Sequence, residues 1–251
     1  MGLTADSGLL AYLWMRLPLV LLFVNGYLVY RLLAVTRLTD AFALAAVRLS
    51  AGSTPRLLGM LMAAAAALSL CIPNAITVLT LLPVLTRLDA RCRALDPPLP
   101  LTTPLTLAVI YGANIGGMGS LIGSPANLLL IGALDWLHVP GRERIDFLNW
   151  FLWALPLAAL LLAAAWGLLV GAGLSRAVRS RRLDADALAA VAAAPGQGGR
   201  GGRGAGAELS PWQRSALKLF VLFLVFWIGE AMAKAALPAV AASEPAWTLG
   251  F

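Results

Sequence analysis

Two short stretches of this sequence carry side chains capable of chemistry, and both lie inside apolar runs. The first is Cys71-Ile-Pro-Asn-Ala-Ile76, in which a proline that removes a backbone donor stands directly before an amide, Asn74. The second runs from Asn114 to Asn127, where Gly116, Gly117, Gly119, Gly123 and Pro125 are interleaved with Asn114, Ser124 and Asn127. Both offer amide oxygens and whatever backbone carbonyls the helix breakers release, and the second adds the Ser124 hydroxyl. Carbonyl oxygens suit a cation such as Na+, and the N-terminal ends of interrupted helices favour a carboxylate. Neither stretch contains Asp, Glu or His, so neither carries protons, although Asp135 lies near the outer end of the second run. No nucleophile, base and orienting group occur together, so the chain is read as not an enzyme. Cys71 and Cys92 match no metal-binding spacing and are read as small apolar fillers.

Composition dictates what must position those residues. Of 251 residues, 60% are hydrophobic and 12% charged, where a soluble domain carries about 25% charged residues. The mean hydropathy is +0.83. At about 20 apolar residues per crossing the length allows roughly five or six spans, which excludes a soluble enzyme, a nucleic-acid module and a disulfide scaffold. The net charge of +7 comes from residues, mostly Arg, that fall between the apolar runs, where they set topology. No cleavable signal peptide is evident, since Met1 to Ser7 has no Lys or Arg.

The fold expected is all-α, a polytopic transmembrane bundle with a re-entrant helical hairpin and a discontinuous transmembrane helix. Residues 1–36 form a first crossing. Residues 37–54 form an amphipathic interfacial helix, with Leu38, Phe42, Ala45 and Leu49 on one stripe and Asp40 and Arg48 off it. Residues 55–88 form the hairpin, interrupted at Pro73 and Asn74, because broken backbone at membrane depth persists only where protein or a water-filled cavity satisfies it. Residues 103–137 are a helix that unwinds in the middle, since five Gly or Pro among fourteen residues weigh about 1 kcal/mol per Gly and about 3 per Pro against helix. Residues 147–174 cross again, 175–214 form a flexible cytoplasmic Arg/Gly-rich linker, and 215–240 make a last crossing. The Gly-Gly-Arg repeats of the linker are read as a tether and not as an RNA-binding tail. Glu230 and Lys234 can pair within the last span, His138 is a solvated loop residue, and Trp136, Trp150, Trp153, Trp212 and Trp247 mark interfacial ends.

The stretches Cys71 to Pro83 and Gly112 to Asn127 together resemble the first repeat of the divalent anion:sodium symporter family, within the ion transporter superfamily and its citrate-transporter-like domain. The resemblance covers about Leu17 to Val240, the first inverted repeat plus the opening helix of a second. It implies a substrate site at Asn74, Ser124, Pro125 and Asn127, and a Na+ site at Ser69, Asn74, Gly123 and Asn114, with no cofactor beyond the coupling ion. Family tips are Ser-Asn-Thr, whereas this one is Pro73-Asn74-Ala75, so two hydroxyl donors to a carboxylate are missing.

The resemblance implies a secondary active transporter, as a partial chain, of small anions such as di- or tricarboxylates, coupled to Na+ by elevator-like alternating access. The partners implied are the anion, Na+, the lipid of the cell (inner) membrane and a second copy in a homodimer, without nucleic acid. The altered tip keeps open an arsenite or Na+/H+ exchanger of the same superfamily. A chain inactive in transport until joined by a second repeat is the third possibility.

Overall fold

The computed structural model describes residues 38–193 apart from 146, together with 24, 27, 28, 31, 32, 35 and 36, and 211–215, 217–219, 221, 222 and 225. The crossings expected over 1–36 and 215–240, with the Glu230–Lys234 pair and Trp247, lie largely outside the described residues. Within 38–193 the elements are helical: α1 (Leu38–Leu49), α2 (Thr54–Ser69), α3 (Asn74–Arg93), α4 (Thr102–Met118), α5 (Pro125–Trp136), a 3-10 turn (Arg142–Arg144), α6 (Phe147–Gly171), α7 (Arg176–Ser180) and α8 (Ala185–Ala193).

The core forms where α4 lies along α2, with α3 and α6 against them. Leu57, Leu58, Leu61, Leu68, Leu105, Ala108 and Val109 are almost wholly buried there. Small residues bring the two backbones together. A Cβ on Gly116 would collide with the Ala66 backbone, and one on Gly112 with the Met62 carbonyl. This explains why α4 continues through Gly116 and Gly117 to Met118, where glycine content alone predicts unwinding. The propensity deficit of two glycines is offset by close packing, and the chain breaks only at 119–124.

The depth of the two breaks follows from helix length. α2 has 16 residues and α4 has 17, which at about 1.5 Å per residue makes each about 25 Å long. Both start at the end of the molecule where the arginine-bearing connectors meet. There Arg181 donates to the Pro97 carbonyl at 2.8 Å and the Asp96 carbonyl at 3.2 Å, and the Leu183 N–H donates to Gly52 O at 2.8 Å. Ser53 and Arg182 form an isolated antiparallel bridge. Two helices of equal length rising from one level stop at one level, so the hairpin break and the glycine break are neighbours.

Two further expectations change. The first part of the Arg-rich stretch is folded and not a tether: α7 packs on α2, α8 packs on α1 and α3, and Leu183 and Leu188 join the core. Its apolar residues, gathered mainly at 183–193, pack on α1 and α3, which composition alone could not show. In α1 the buried face is Ala43, Leu44, Ala46, Val47 and Ser50, while Leu49 is 67% exposed and Ala45 also faces outward. Of the stripe read from spacing, Ala45 and Leu49 therefore face away from the protein, while Phe42 packs against the core.

α6 is the one described helix long and apolar enough to cross a membrane, with 24 residues from Leu148 to Gly171 and little of it buried. Two tryptophans fasten it: Trp166 Nε1 donates to Pro55 O at 2.9 Å near the connectors, and Trp150 Nε1 to Met118 O at 3.0 Å at the end of α4.

Candidate functional site

The hairpin break begins because Pro73 has no N–H. In a continuing helix residue 73 would donate to the carbonyl four back, so Pro73 leaves Ser69 O without its helical partner. The chain turns through Leu70, Cys71 and Ile72, and α3 starts at Asn74. Ser69 is fully buried, and its hydroxyl donates to Asn74 Oδ1 at 2.9 Å, with Ile72 O at 3.4 Å as a second acceptor. Asn74 Nδ2 in turn donates to Asn114 Oδ1 at 3.1 Å. Asn74 thus joins the end of α2 to α4, which comes forty residues later.

The glycine break is closed from within. Asn127, in the first turn of α5 and almost wholly buried, donates through Nδ2 to Gly117 O at 2.9 Å and Ser120 O at 2.8 Å. Ser120 donates its hydroxyl to Leu70 O and accepts from the Gly123 N–H at 3.0 Å. Ser124 caps α5 in extended backbone, its Oγ accepting from the Ala126 N–H at 3.4 Å, and Pro125 takes the first helical position, where no donor is missed.

Glycine is required where the breaks meet. A Cβ on Gly123 would lie 2.5 Å from Ser69 O and 2.7 Å from Gly117 O, and a Cβ on Gly117 would collide with Asn74 Oδ1. The oxygens of Ser69, Asn74, Gly117 and Gly123 therefore crowd one small region free of carboxylates. Carbonyl and amide oxygens with no titratable group among them are chemistry suited to a monovalent cation. The α5 N-terminus beside it, with Ser124 and exposed Pro125, offers positive dipole to an anion.

Of the residues singled out from sequence, Ser69, Asn74, Asn114 and Gly123 come together, and Ser124 and Pro125 sit at the adjoining helix start. Asn127 stands at the base of that start with both amide hydrogens already engaged. Asp135 is away from the breaks, paired with Arg142 at 2.9 Å. Sequence reading missed Ser120, the Gly117 carbonyl and Trp150, which tops the end of α4 instead of serving only as a membrane-interface marker. No group of three or more metal-ligating His, Cys, Asp or Glu occurs among the described residues.

Helix breaks that bring backbone oxygens together at membrane depth are a feature of secondary transporters. The chain belongs to the citrate transporter family, whose model matches residues 2–249. A family of transporters implies an integral membrane protein. Among individual relatives, the sodium-dependent dicarboxylate transporter SdcS of Staphylococcus aureus is 27% identical over 155 residues, 59% of this chain and 29% of its own. The sodium-dependent high-affinity dicarboxylate transporter 3 of Caenorhabditis elegans is 37% identical over 70 residues, 28% of this chain and 12% of its own. The Na(+)/citrate cotransporter of Rattus norvegicus is 37% identical over 62 residues, 25% of this chain and 11% of its own. The chain thus matches less than a third of the length of these relatives.

Proposed function

We propose that this chain supplies one half-site of a Na+-coupled secondary transporter for small di- or tricarboxylates in the cell (inner) membrane. A second inverted repeat would give the other half, and the protein would work as a homodimer. The hairpin α2–α3 is the re-entrant element, and α4–α5 is the discontinuous transmembrane helix. Na+ is held by the Ser69 and Gly123 carbonyls and the Asn74 side chain, with Asn114 steering the Asn74 amide. The substrate carboxylate meets Asn74, Ser124 and Pro125 at the start of α5, over a floor that Asn127 holds in shape. Transport proceeds by elevator-like movement of the two breaks together.

The observation that carries this reading is the crowding of four uncharged oxygens between two helix breaks at one depth. A Na+ bound there adds positive charge beside the α5 N-terminus, so cation and anion favour each other's binding. This is the coupling free energy that symport needs. The absence of hydroxyls at positions 73 and 75 motivates the second reading, an arsenite or Na+/H+ exchanger.

The test is Na+-gradient-driven uptake of labelled succinate and citrate by the full-length protein in proteoliposomes. Asn74→Ala is expected to abolish uptake while leaving expression and folding intact. Unchanged Na+-driven uptake by that variant would overturn the assignment, and a pH-driven flux indifferent to Na+ would favour the exchanger.

A further inference from the structure

Two side-chain hydrogen bonds tie the hairpin break to the α4–α5 unit among the described residues. One, Asn74 to Asn114, uses the amide assigned above to the ion. The other is made by Ser120, which is none of the proposed ligands and is 2% exposed. Its hydroxyl donates to Leu70 O, fifty residues away, and accepts from the Gly123 N–H at 3.0 Å. Leu70 follows Ser69 directly in the chain. One buried hydroxyl therefore clamps together the two backbone segments that pass closest at the candidate ion position, where a Cβ on Gly123 would lie 2.5 Å from Ser69 O. The bond depends on no ligand, and both ends are backbone, so it holds the carbonyls whether or not a cation is present.

We propose that Ser120 is a positioning residue that sets the spacing of the Ser69 and Gly123 carbonyls, and with it the preference for Na+ over Li+ and K+. This rests on the Na+ reading of the site. Ion preference at carbonyl sites arises from cavity size or from the number and field strength of the dipoles, and a clamp between the two carbonyl-bearing segments limits both. Without the hydroxyl, Leu70 O and Gly123 N–H lose their shared partner and the segments can drift apart. The carbonyls then relax around ions of other radii, and the preference narrows.

The experiment is thermal unfolding of the purified protein in lipid nanodiscs, titrated with NaCl, LiCl or KCl against choline chloride at constant ionic strength. The wild type is expected to be stabilised most by NaCl. Ser120→Ala is expected to raise the Na+ concentration for half-maximal stabilisation about tenfold, the scale of one lost hydrogen bond, and to bring the three cations close to equivalence. Ser120→Thr keeps the hydroxyl and is expected to restore both affinity and preference, which a purely volumetric role would not predict. Ser120→Cys replaces the alanine variant, with the same expected direction, if the latter does not fold. An alanine or cysteine variant with wild-type affinity and preference overturns the inference alone. A wild type indifferent to Na+ removes the Na+ assignment and the inference with it.

Discussion

The two helix breaks solve the same problem in opposite ways. The hairpin break is opened by a proline that withholds a donor, and its polar groups are tied by the side chains of Ser69 and Asn74, two residues that also supply proposed ligands, Ser69 through its carbonyl and Asn74 through its amide. The glycine break is braced by residues that bind only backbone: Asn127 spans it with two hydrogen bonds, and Ser120 ties it to the hairpin. One break is held by side chains of residues that also supply proposed ligands, and the other is braced in shape around the ligands it is proposed to supply, the Gly123 carbonyl and the start of α5. A site that must release its ion needs the first, and a site that must keep its shape between cycles needs the second. The difference implies that substitutions in the two breaks will separate stability from ion response.

The largest effect is expected from removing the packing that brings the breaks level. Gly116→Ala puts a methyl into the Ala66 backbone, which cannot yield as a side chain would. A loss of about 3 kcal/mol is expected, the upper part of the range for overpacking, read as a lowered unfolding midpoint in nanodiscs with or without Na+. Next comes Asn127→Ala, which strands the buried Gly117 carbonyl in the braced break and leaves Ser120 O only the 3.3 Å bond from the Gly123 N–H. About 2 kcal/mol is expected to be lost, and Na+-specific stabilisation should survive in whatever remains folded. If Asn127→Ala instead abolished the Na+ response at unchanged stability, the division between brace and ligand would be wrong.

Pro73→Ala tests the open break. It supplies an N–H in reach of Ser69 O and lets α2 continue, so the carbonyl is drawn away from the ion. Stability is expected to change by less than about 1 kcal/mol, while the Na+ concentration for half-maximal stabilisation rises several-fold. The smallest effect is expected one turn below Asn74. The hydroxyl of Thr77 is fully buried and makes no hydrogen bond among the described residues. Thr77→Val is therefore expected to leave stability unchanged or raise it by up to about 1 kcal/mol, and a clear loss of Na+ response would place that hydroxyl in the ion's reach.

Much of this arrangement was legible from local signals. Pro73 and Pro125 mark helix starts, Asn74 follows a missing donor, and the apolar runs set the helix lengths. The glycine stretch was legible as special but not in detail, because glycine weakens a helix and permits close helix contact with equal ease. Which of these prevails at Gly116 depends on Ala66, fifty residues earlier in the chain. The arginine-rich stretch misled for the same reason. Its charges describe an exposed tether, yet α8 packs on α1 and α3, with Leu188 and the preceding Leu183 buried.

The sequence by itself determined the membrane-embedded class, the positions of both breaks to within a few residues, and the uncharged oxygens they would expose. All three stem from composition and from backbone chemistry that acts within one turn. Only the tertiary structure decided that the breaks face each other, that Asn127 holds one of them shut, and that Ser120 joins them through Leu70. Hydrogen bonds between residues so distant in the chain depend on how α2 and α4 pack, and that packing is fixed by helix length and side-chain volume together, not by any motif.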